Sequence, residues 1–183
     1  AIERLPNEEI ILLPNNKNVI LAARQAAEQV TNKRVRVVPS FPIPQGITAM
    51  FEYQNARSIE PAATLDETAD QMIEVLKLVV TGEITRATRD VEIDGLIVRA
   101  EQFIGLIDDV LAVAGDEIEH VAVDLLRKAN ADRYERVTLY YGDGSTETDA
   151  RTLMRTLEDV FADLEFEVVY GGQPLYPYII SIE

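Results

Sequence analysis

The stretch EEIILLPNNKNVILAARQAAEQVTNKRVRVV (residues 8–38) contains the pattern that decides the fold. EEIILL (8–13) is a short apolar run that predicts a buried strand, and RVRVV (34–38) alternates basic and apolar residues as a second strand would. Between them, small and apolar residues recur at helical spacing: Val19, Ala23, Ala26, Ala27 and Val30. A strand, a helix and a strand so close together predict a right-handed βαβ unit with parallel strands.

After this unit the sequence predicts two further helices. A proline-rich loop, PSFPIPQG (39–46), is followed by a short helix at ITAMFEY (47–53). Thr64-x-x-Glu67 has the form of a capping box, and the helix that it opens carries one apolar stripe. That helix should therefore cover a sheet.

From Gly82 onward, strand and turn signals dominate. EITRATRDVEI (83–93) predicts one strand that turns through Asp94-Gly95, and Asp108-Asp109 predicts a second hairpin. The remaining predicted elements are a helix at about 116–130, a strand at 135–141, a helix opened by Thr146-x-x-Asp149, and strands at 165–170 and 178–182. We predict an α/β fold of two small lobes: a βαβ-type lobe at residues 1–81 and a mixed-sheet α/β lobe at 82–183.

The composition disfavours several classes of function. A net charge of −15, from 32 acidic and 17 basic residues, repels nucleic acid and anionic membranes. No apolar run approaches the roughly 20 residues that cross a bilayer, and no signal peptide is present, so we expect a cytoplasmic protein. Cysteine is absent and histidine occurs once, so we expect no catalytic residue, no metal ligand and no cofactor within this chain. Because the chain begins at Ala1, we expect a processed product or a piece of a longer protein.

Candidate binding residues lie in three loops that directly follow predicted strands, where ligands gather in open α/β sheets. The first loop (13–18) offers Asn15, Asn16, Lys17 and Asn18 at a helix N-terminus, which favours an anion. For this loop alone an asparagine that merely caps the helix is the more common arrangement. The second loop (39–46) offers Ser40, Gln45 and Gly46, or is only a rigid connector. The third loop (171–177) and the residue after it offer Gly171, Gly172, Gln173, Tyr176 and Tyr178.

A further group, Arg89, Asp90 and Asp94, lies on or beside the predicted strand 83–93. Alternation along that strand would place Arg86 and Asp90 on one face and Arg89 on the other. Their role is either ligand binding or an exposed ion pair that stabilises little.

Several stretches in order resemble one family: PNNKNVILAARQAA (14–27), VVPSFPIPQGITAMFEY (37–53), TGEITRATRDVEIDGLIV (81–98), FIGLI (103–107) and GGQPLYPYIISIE (171–183). The family is the C-terminal domain of the bacterial fatty-acid kinase subunit, known too as dihydroxyacetone-kinase-like or "DAK phosphatase" proteins. The resemblance covers nearly all of the chain. Relatives usually turn through Asp-Gly where this chain has Asp108-Asp109, so the type of that turn stays open.

The resemblance implies a DegV-like fold and a place in a larger kinase. An upstream domain would bind ATP and magnesium, a middle domain would follow it, and a DegV-type fatty-acid-binding protein would present the acyl carboxylate for phosphorylation. The present domain would dock that partner without catalysing the reaction itself.

Two alternatives stay open at this point. One is a small-molecule kinase or phosphatase domain, acting on a dihydroxyacetone-like substrate, with a pocket at the three loops and Lys17, Arg89 or Asp90 as working groups. The other is a homodimer in which YIISI (178–182) forms an exposed apolar edge that pairs between chains.

Overall fold

The computed structural model describes residues 2–93 and 95–183. The chain separates into two compact units, of which unit 1 ends at Val79 and unit 2 runs from Val80 to Glu183. Each unit has its own hydrophobic core.

Unit 1 contains the predicted βαβ arrangement. Strands β1 (Glu9–Leu12) and β2 (Arg34–Val37) pair in parallel, and helix α1 (Lys17–Gln29) connects them. The register places Ile10 opposite Val35. The sheet of this unit has these two strands among the residues that the structure describes.

Helices α2 (Ile43–Ile59) and α3 (Leu65–Val75) complete unit 1. The prediction of a short helix at 47–53 is wrong, because α2 already begins inside the proline-rich segment. Proline is tolerated in a first helical turn, where its missing N–H has no partner to lose, so Pro44 does not delay the start. The capping box of Thr64 and Glu67 at the start of α3 is confirmed. The small core of unit 1 consists of Val38, Ala49, Ala69, Met72 and Leu76.

Unit 2 is built on a six-stranded mixed sheet with the strand order β7-β6-β3-β10-β8-β9. Its strands are β3 (Val80–Arg86), β6 (Phe103–Ile107), β7 (Val110–Gly115), β8 (Arg136–Tyr141), β9 (Glu165–Tyr170) and β10 (Tyr178–Ile182). The β8–β9 pair is parallel and the other pairs are antiparallel. The short strands β4 (Val91–Ile93) and β5 (Leu96–Val98) form a separate hairpin.

Helices α4 (Ile118–Lys128) and α5 (Glu147–Val160) contribute most of the helical side chains of this core. Leu125 of α4 and Ile180 of β10 are both fully buried there. A Cβ on Gly82 would lie 2.9 Å from Leu125 Cδ2, so this glycine lets the helix approach β3 closely. The capping box of Thr146 and Asp149 at the start of α5 is confirmed.

Two predictions for unit 2 are wrong. Residues 83–93 do not form one strand, because β3 ends at Arg86 and Ala87 then exchanges backbone hydrogen bonds with Glu101 and Gln102. The expected exposed edge at YIISI is also wrong: β10 is the strand between β3 and β8, and all five of its residues are buried. A strand paired on both edges has no free backbone for a second chain.

Both predicted hairpins are present. β6 and β7 turn through Asp108 and Asp109, whose φ angles of 47° and 68° are those of a type I′ turn. Aspartate tolerates this left-handed conformation, so the turn does not require the glycine of the relatives. In the β4–β5 hairpin Gly95 has a φ of 80°, while Asp94 lies outside the described residues.

Candidate functional site

The first and second loops meet at one edge of the sheet in unit 1. Because β1 and β2 are parallel, their carboxyl ends lie side by side. The backbone N–H of Asn15 donates to Ser40 Oγ at 3.3 Å, and the Ser40 hydroxyl donates to Asn15 Oδ1 at 2.5 Å. Ser40 is fully buried, so both hydrogen-bonding directions of its hydroxyl are used within the protein. These two bonds join the loops.

Gly46 is the third member of this contact. Asn15 has a φ of 50°, and its side chain lies against Gly46, where an added Cβ would be 2.1 Å from Oδ1 and 2.7 Å from Cγ. An alanine at this position requires the Asn15 side chain to move. Glycine is therefore needed at this position because it has no side chain, and not because of its backbone freedom.

Other predicted residues of the two loops have structural partners as well. Asn16 caps α1 by accepting from the Asn18 N–H at 2.9 Å, as the capping interpretation predicts. Lys17 Nζ lies 5.5 Å from the centroid of the Phe41 ring, a cation–π distance. Gln45 Oε1 accepts from the Phe41 N–H at 2.9 Å. The loops are held in place by these contacts before any ligand arrives.

The N-termini of two helices lie at this edge, since α1 begins at Lys17 and α2 at Ile43. Unpaired N–H groups and the helix dipole give each N-terminus a partial positive charge. Together with the ammonium group of Lys17 they favour an anionic group at the edge.

The third loop lies in unit 2, where it is bound to the end of β8. Gln173 Nε2 donates to the Tyr140 carbonyl at 2.7 Å, and the Gln173 carbonyl accepts from the Asp143 N–H at 3.1 Å. Gly171 and Gly172 both donate to the Tyr141 carbonyl, and Gly172 has a φ of 67°. These residues form a tight turn whose backbone groups make hydrogen bonds within the protein.

Tyr178 and Tyr176 differ in their surroundings. Tyr178 is buried and lines a cavity of about 320 Å³ in unit 2, with Arg86, Phe103, Ser145 and Asp149 among the other lining residues. Burial is the main cause that raises the pKa of Tyr178, and burial also raises that of the half-buried Tyr176. The Arg86 guanidinium stacks 4.0 Å from the centroid of Phe103.

Arg89 and Asp90 lie in the segment between β3 and β4 and not on one continuous strand. Because β3 ends at Arg86, that residue and Asp90 do not share a strand face. Asp90 Oδ1 accepts from the Ala100 N–H at 2.7 Å and so closes the turn beside the β4–β5 hairpin. Arg89 is exposed, and Asp94 lies outside the described residues.

Sequence reasoning missed how unevenly the charged residues are distributed between the two units. Residues 1–79 hold 10 acidic and 8 basic residues, whereas residues 80–183 hold 22 acidic and 9 basic residues. The nearly neutral unit 1 exposes several large apolar side chains of α2, including Ile43, Met50 and Phe51, the last with 66% of its surface accessible. Counting charges separately for each predicted lobe would have revealed the asymmetry.

Residues 2–93 and 95–183 contain neither a metal-binding cluster nor a membrane-spanning helix. No group of three or more His, Asp or Glu side chains in this part of the chain is arranged to hold a metal ion. No helix there is both long and apolar enough to cross a membrane.

Comparison with known sequences gives one family and several relatives. The family model for the FakA-like C-terminal domain of fatty acid kinase matches residues 1–183. Uncharacterized proteins of Staphylococcus aureus strains MRSA252 and USA300 are 36% and 35% identical over 183 residues. The match covers 100% of this chain and 32% of each relative, so the chain spans about a third of their length.

Solved structures with the same fold include DegV family proteins. A DegV family protein from Corynebacterium glutamicum has a TM-score of 0.63 at 18% identity, with 99% of this chain and 78% of that chain covered. The Streptococcus pneumoniae Fatty Acid Kinase (Fak) B3 protein loaded with linoleic acid has a TM-score of 0.61 at 10% identity, covering 97% and 72%. A DegV family protein from Eubacterium eligens loaded with heptadecanoic acid has a TM-score of 0.62 at 13% identity, covering 97% and 73%. The predicted DegV-like α/β fold is confirmed.

Proposed function

This chain belongs to the family of FakA-like C-terminal domains of fatty acid kinases, and we propose that it is the docking domain of such a kinase. In this proposal the domain binds a DegV-type fatty-acid-binding protein and performs no catalysis itself. A kinase domain elsewhere in the same protein, with ATP and magnesium, then phosphorylates the fatty-acid carboxylate that the partner holds. The product is an acyl phosphate.

The observation that carries this proposal is the match of the family model to the whole chain, residues 1–183. The sequence also contains no GxxxxGK[ST] loop for a triphosphate, which favours a nucleotide site in another domain. Relatives about three times as long have room for the kinase and middle domains that the proposal requires.

We place the docking surface on unit 1, for a physical reason. Association between two proteins is opposed by like charge and favoured by burial of apolar surface. Unit 1 is nearly neutral and exposes Ile43, Met50 and Phe51, whereas unit 2 carries most of the net negative charge. The joined loops add a preformed polar edge, at which Lys17 and the N-termini of α1 and α2 face an anionic group of the partner or of its cargo.

A charge-reversal pair tests the surface. We expect Lys17→Glu to weaken binding of the acyl-loaded DegV-type protein at least about tenfold, because it replaces a favourable charge at the edge with a repulsive one. Lys77→Glu is the matched control, since Lys77 is an exposed lysine of the same unit that bonds to Glu74. Calorimetric titration of both variants gives the dissociation constants. Equal affinities for the two variants would show that the loops do not form the surface.

One observation favours a second candidate function, a small-molecule site in unit 2. The cavity beside Tyr178 lies at the carboxyl end of β8, where open α/β sheets bind ligands, and it presents hydroxyl groups from Ser145, Thr152 and Tyr178. A neutral polyol such as dihydroxyacetone fits that set of groups. This candidate predicts that dihydroxyacetone raises the melting temperature of the protein and that Tyr178→Phe abolishes the rise. No change in melting temperature with the wild-type protein would exclude it.

A further inference from the structure

Strand β1 has one edge to which no described strand is paired. The carbonyls of Glu8 and Leu12 accept hydrogen bonds from β2, from the N–H groups of Arg34 and Val38 at 2.8 and 3.0 Å. In a parallel pair alternate residues bond to opposite sides, so the backbone groups of Glu9 and Ile11 point to the other edge. A parallel sheet of only two strands is small, since sheets usually hold about four to six.

An apolar cavity of about 300 Å³ opens beside this edge in unit 1. Alternate residues of β1 and its extension line it on one side, and α2 and α3 line it on the other: Glu9, Ile11, Leu13, Met50, Tyr53 and Met72 are among them. Met72 belongs to the core and is fully buried. The cavity therefore reaches the hydrophobic core of the unit.

The charged groups at the cavity already have partners within the protein. Glu9 Oε1 is 2.6 Å from Arg34 Nη1, and Arg57 Nη1 donates to the Ala63 carbonyl at 2.9 Å. The remaining lining is apolar or aromatic. A ligand for this place is consequently uncharged where it enters the cavity.

We propose that an extended apolar segment of a partner protein adds to the edge of β1 as a third strand and places one large side chain in the cavity. The edge offers alternating N–H and C=O groups, which another strand matches at a spacing of about 4.8 Å. This inference rests on the edge of β1 and the cavity and not on the proposed function, although Met50 belongs to both surfaces.

A second copy of the chain is a poorer occupant of the edge. The four residues of β1 span only about 13 Å, and pairing two such strands buries far less than the roughly 1,600 Å² of a stable interface. The charge of −15 on each copy opposes such a dimer further. A partner segment gains more than this backbone pairing, because it also places a large side chain in the cavity of about 300 Å³.

Amide exchange measured by NMR tests the proposal with a defined probe, the peptide acetyl-Lys-Val-Ile-Phe-Val-Lys-amide. At ten times its dissociation constant the peptide should slow exchange of the Glu9 and Ile11 amides about tenfold. The amides of Ile10 and Leu12, already directed to β2, should change little. The same peptide with N-methyl groups on all four residues of its Val-Ile-Phe-Val run is the control and should not bind, because both of its edges then lack N–H donors.

Two variants connect the peptide to the cavity. Met50→Trp fills the cavity from a half-exposed position on α2 and should abolish peptide binding. Ile59→Trp, at an exposed position of the same helix outside the cavity lining, should not. Helical circular dichroism confirms that both variants fold. The proposal is overturned by unchanged exchange at Glu9 and Ile11, by equal protection of all four amides, by binding of the N-methylated peptide, or by equal binding to both tryptophan variants.

Discussion

Replacing Gly46 with alanine perturbs the contact that joins the two loops of unit 1. The new Cβ would lie 2.1 Å from Asn15 Oδ1, so the Asn15 side chain has to leave. Its departure breaks the 2.5 Å hydrogen bond from the Ser40 hydroxyl. Because Ser40 is fully buried, no water replaces the lost acceptor.

The magnitude follows from two opposing effects. A buried hydroxyl without its partner costs about 1–3 kcal/mol. Alanine in place of glycine within a helix returns about 1 kcal/mol, and Gly46 lies in α2. We therefore expect Gly46→Ala to lower the free energy of unfolding by about 0–2 kcal/mol.

The Ser40→Ala background separates the two effects. Without the buried hydroxyl, Asn15 is free to turn toward solvent, and only the helix gain remains, so Gly46→Ala should now stabilise by up to about 1 kcal/mol. Urea unfolding of the wild type, both single variants and the double variant gives the coupling energy, expected at about 1–3 kcal/mol. An equal effect of Gly46→Ala in both backgrounds would refute the linkage among Asn15, Ser40 and Gly46.

Two further predictions concern unit 2. Hydrogen bonds donated by the Thr146 hydroxyl and backbone N–H lower the pKa of Asp149 below its ordinary 3.8. The ionised Asp149 carboxylate therefore stabilises the folded state fully above about pH 3.8, and this stabilisation disappears as the pH falls through the lowered pKa. Urea unfolding at a series of pH values gives the free energy of unfolding as a function of pH. Between pH 4 and pH 2 this free energy should fall less steeply for Asp149→Asn than for the wild type. The same slope for both proteins would contradict this assignment. Ile180→Ala removes a fully buried side chain from the central strand and should cost about 2–5 kcal/mol by the same assay. Val160→Ala, on an exposed residue, should cost about 0.5 kcal/mol or less, and similar losses for the two would show that β10 is not in the core.

Much of the fold follows from local signals in the sequence. The apolar runs around α1 predict the βαβ unit, and two Thr-x-x-acid motifs predict the starts of α3 and α5, because each of these features acts within a few residues. Both hairpins follow from their two-residue turns for the same reason.

The errors arise where distant residues decide the outcome. Residues 83–93 alternate like one strand, yet β3 stops at Arg86 because Ala87 pairs with Glu101 and Gln102. The apolar pattern of YIISI is compatible with an edge strand and with a central strand. Its position between β3 and β8 depends on strands that lie about 40 to 100 residues earlier in the chain.

The candidate site shows the same division between local and distant effects. Its loops are predictable, because they follow strands of a recognisable βαβ unit. The reciprocal bonds of Asn15 and Ser40 join residues 25 positions apart, and no local pattern marks them. The hydrogen bond from Gln173 to the Tyr140 carbonyl likewise has no local sequence signal that predicts it.

The most direct test of the docking proposal is an equilibrium titration of this chain with an acyl-loaded DegV-type fatty-acid-binding protein. Calorimetry at physiological salt measures the association, and a coupled assay on the same sample measures hydrolysis of added ATP. We predict a saturable one-to-one complex and no ATP turnover above the buffer rate. No detectable binding, under conditions in which the full-length kinase protein binds the same partner, would contradict the proposal.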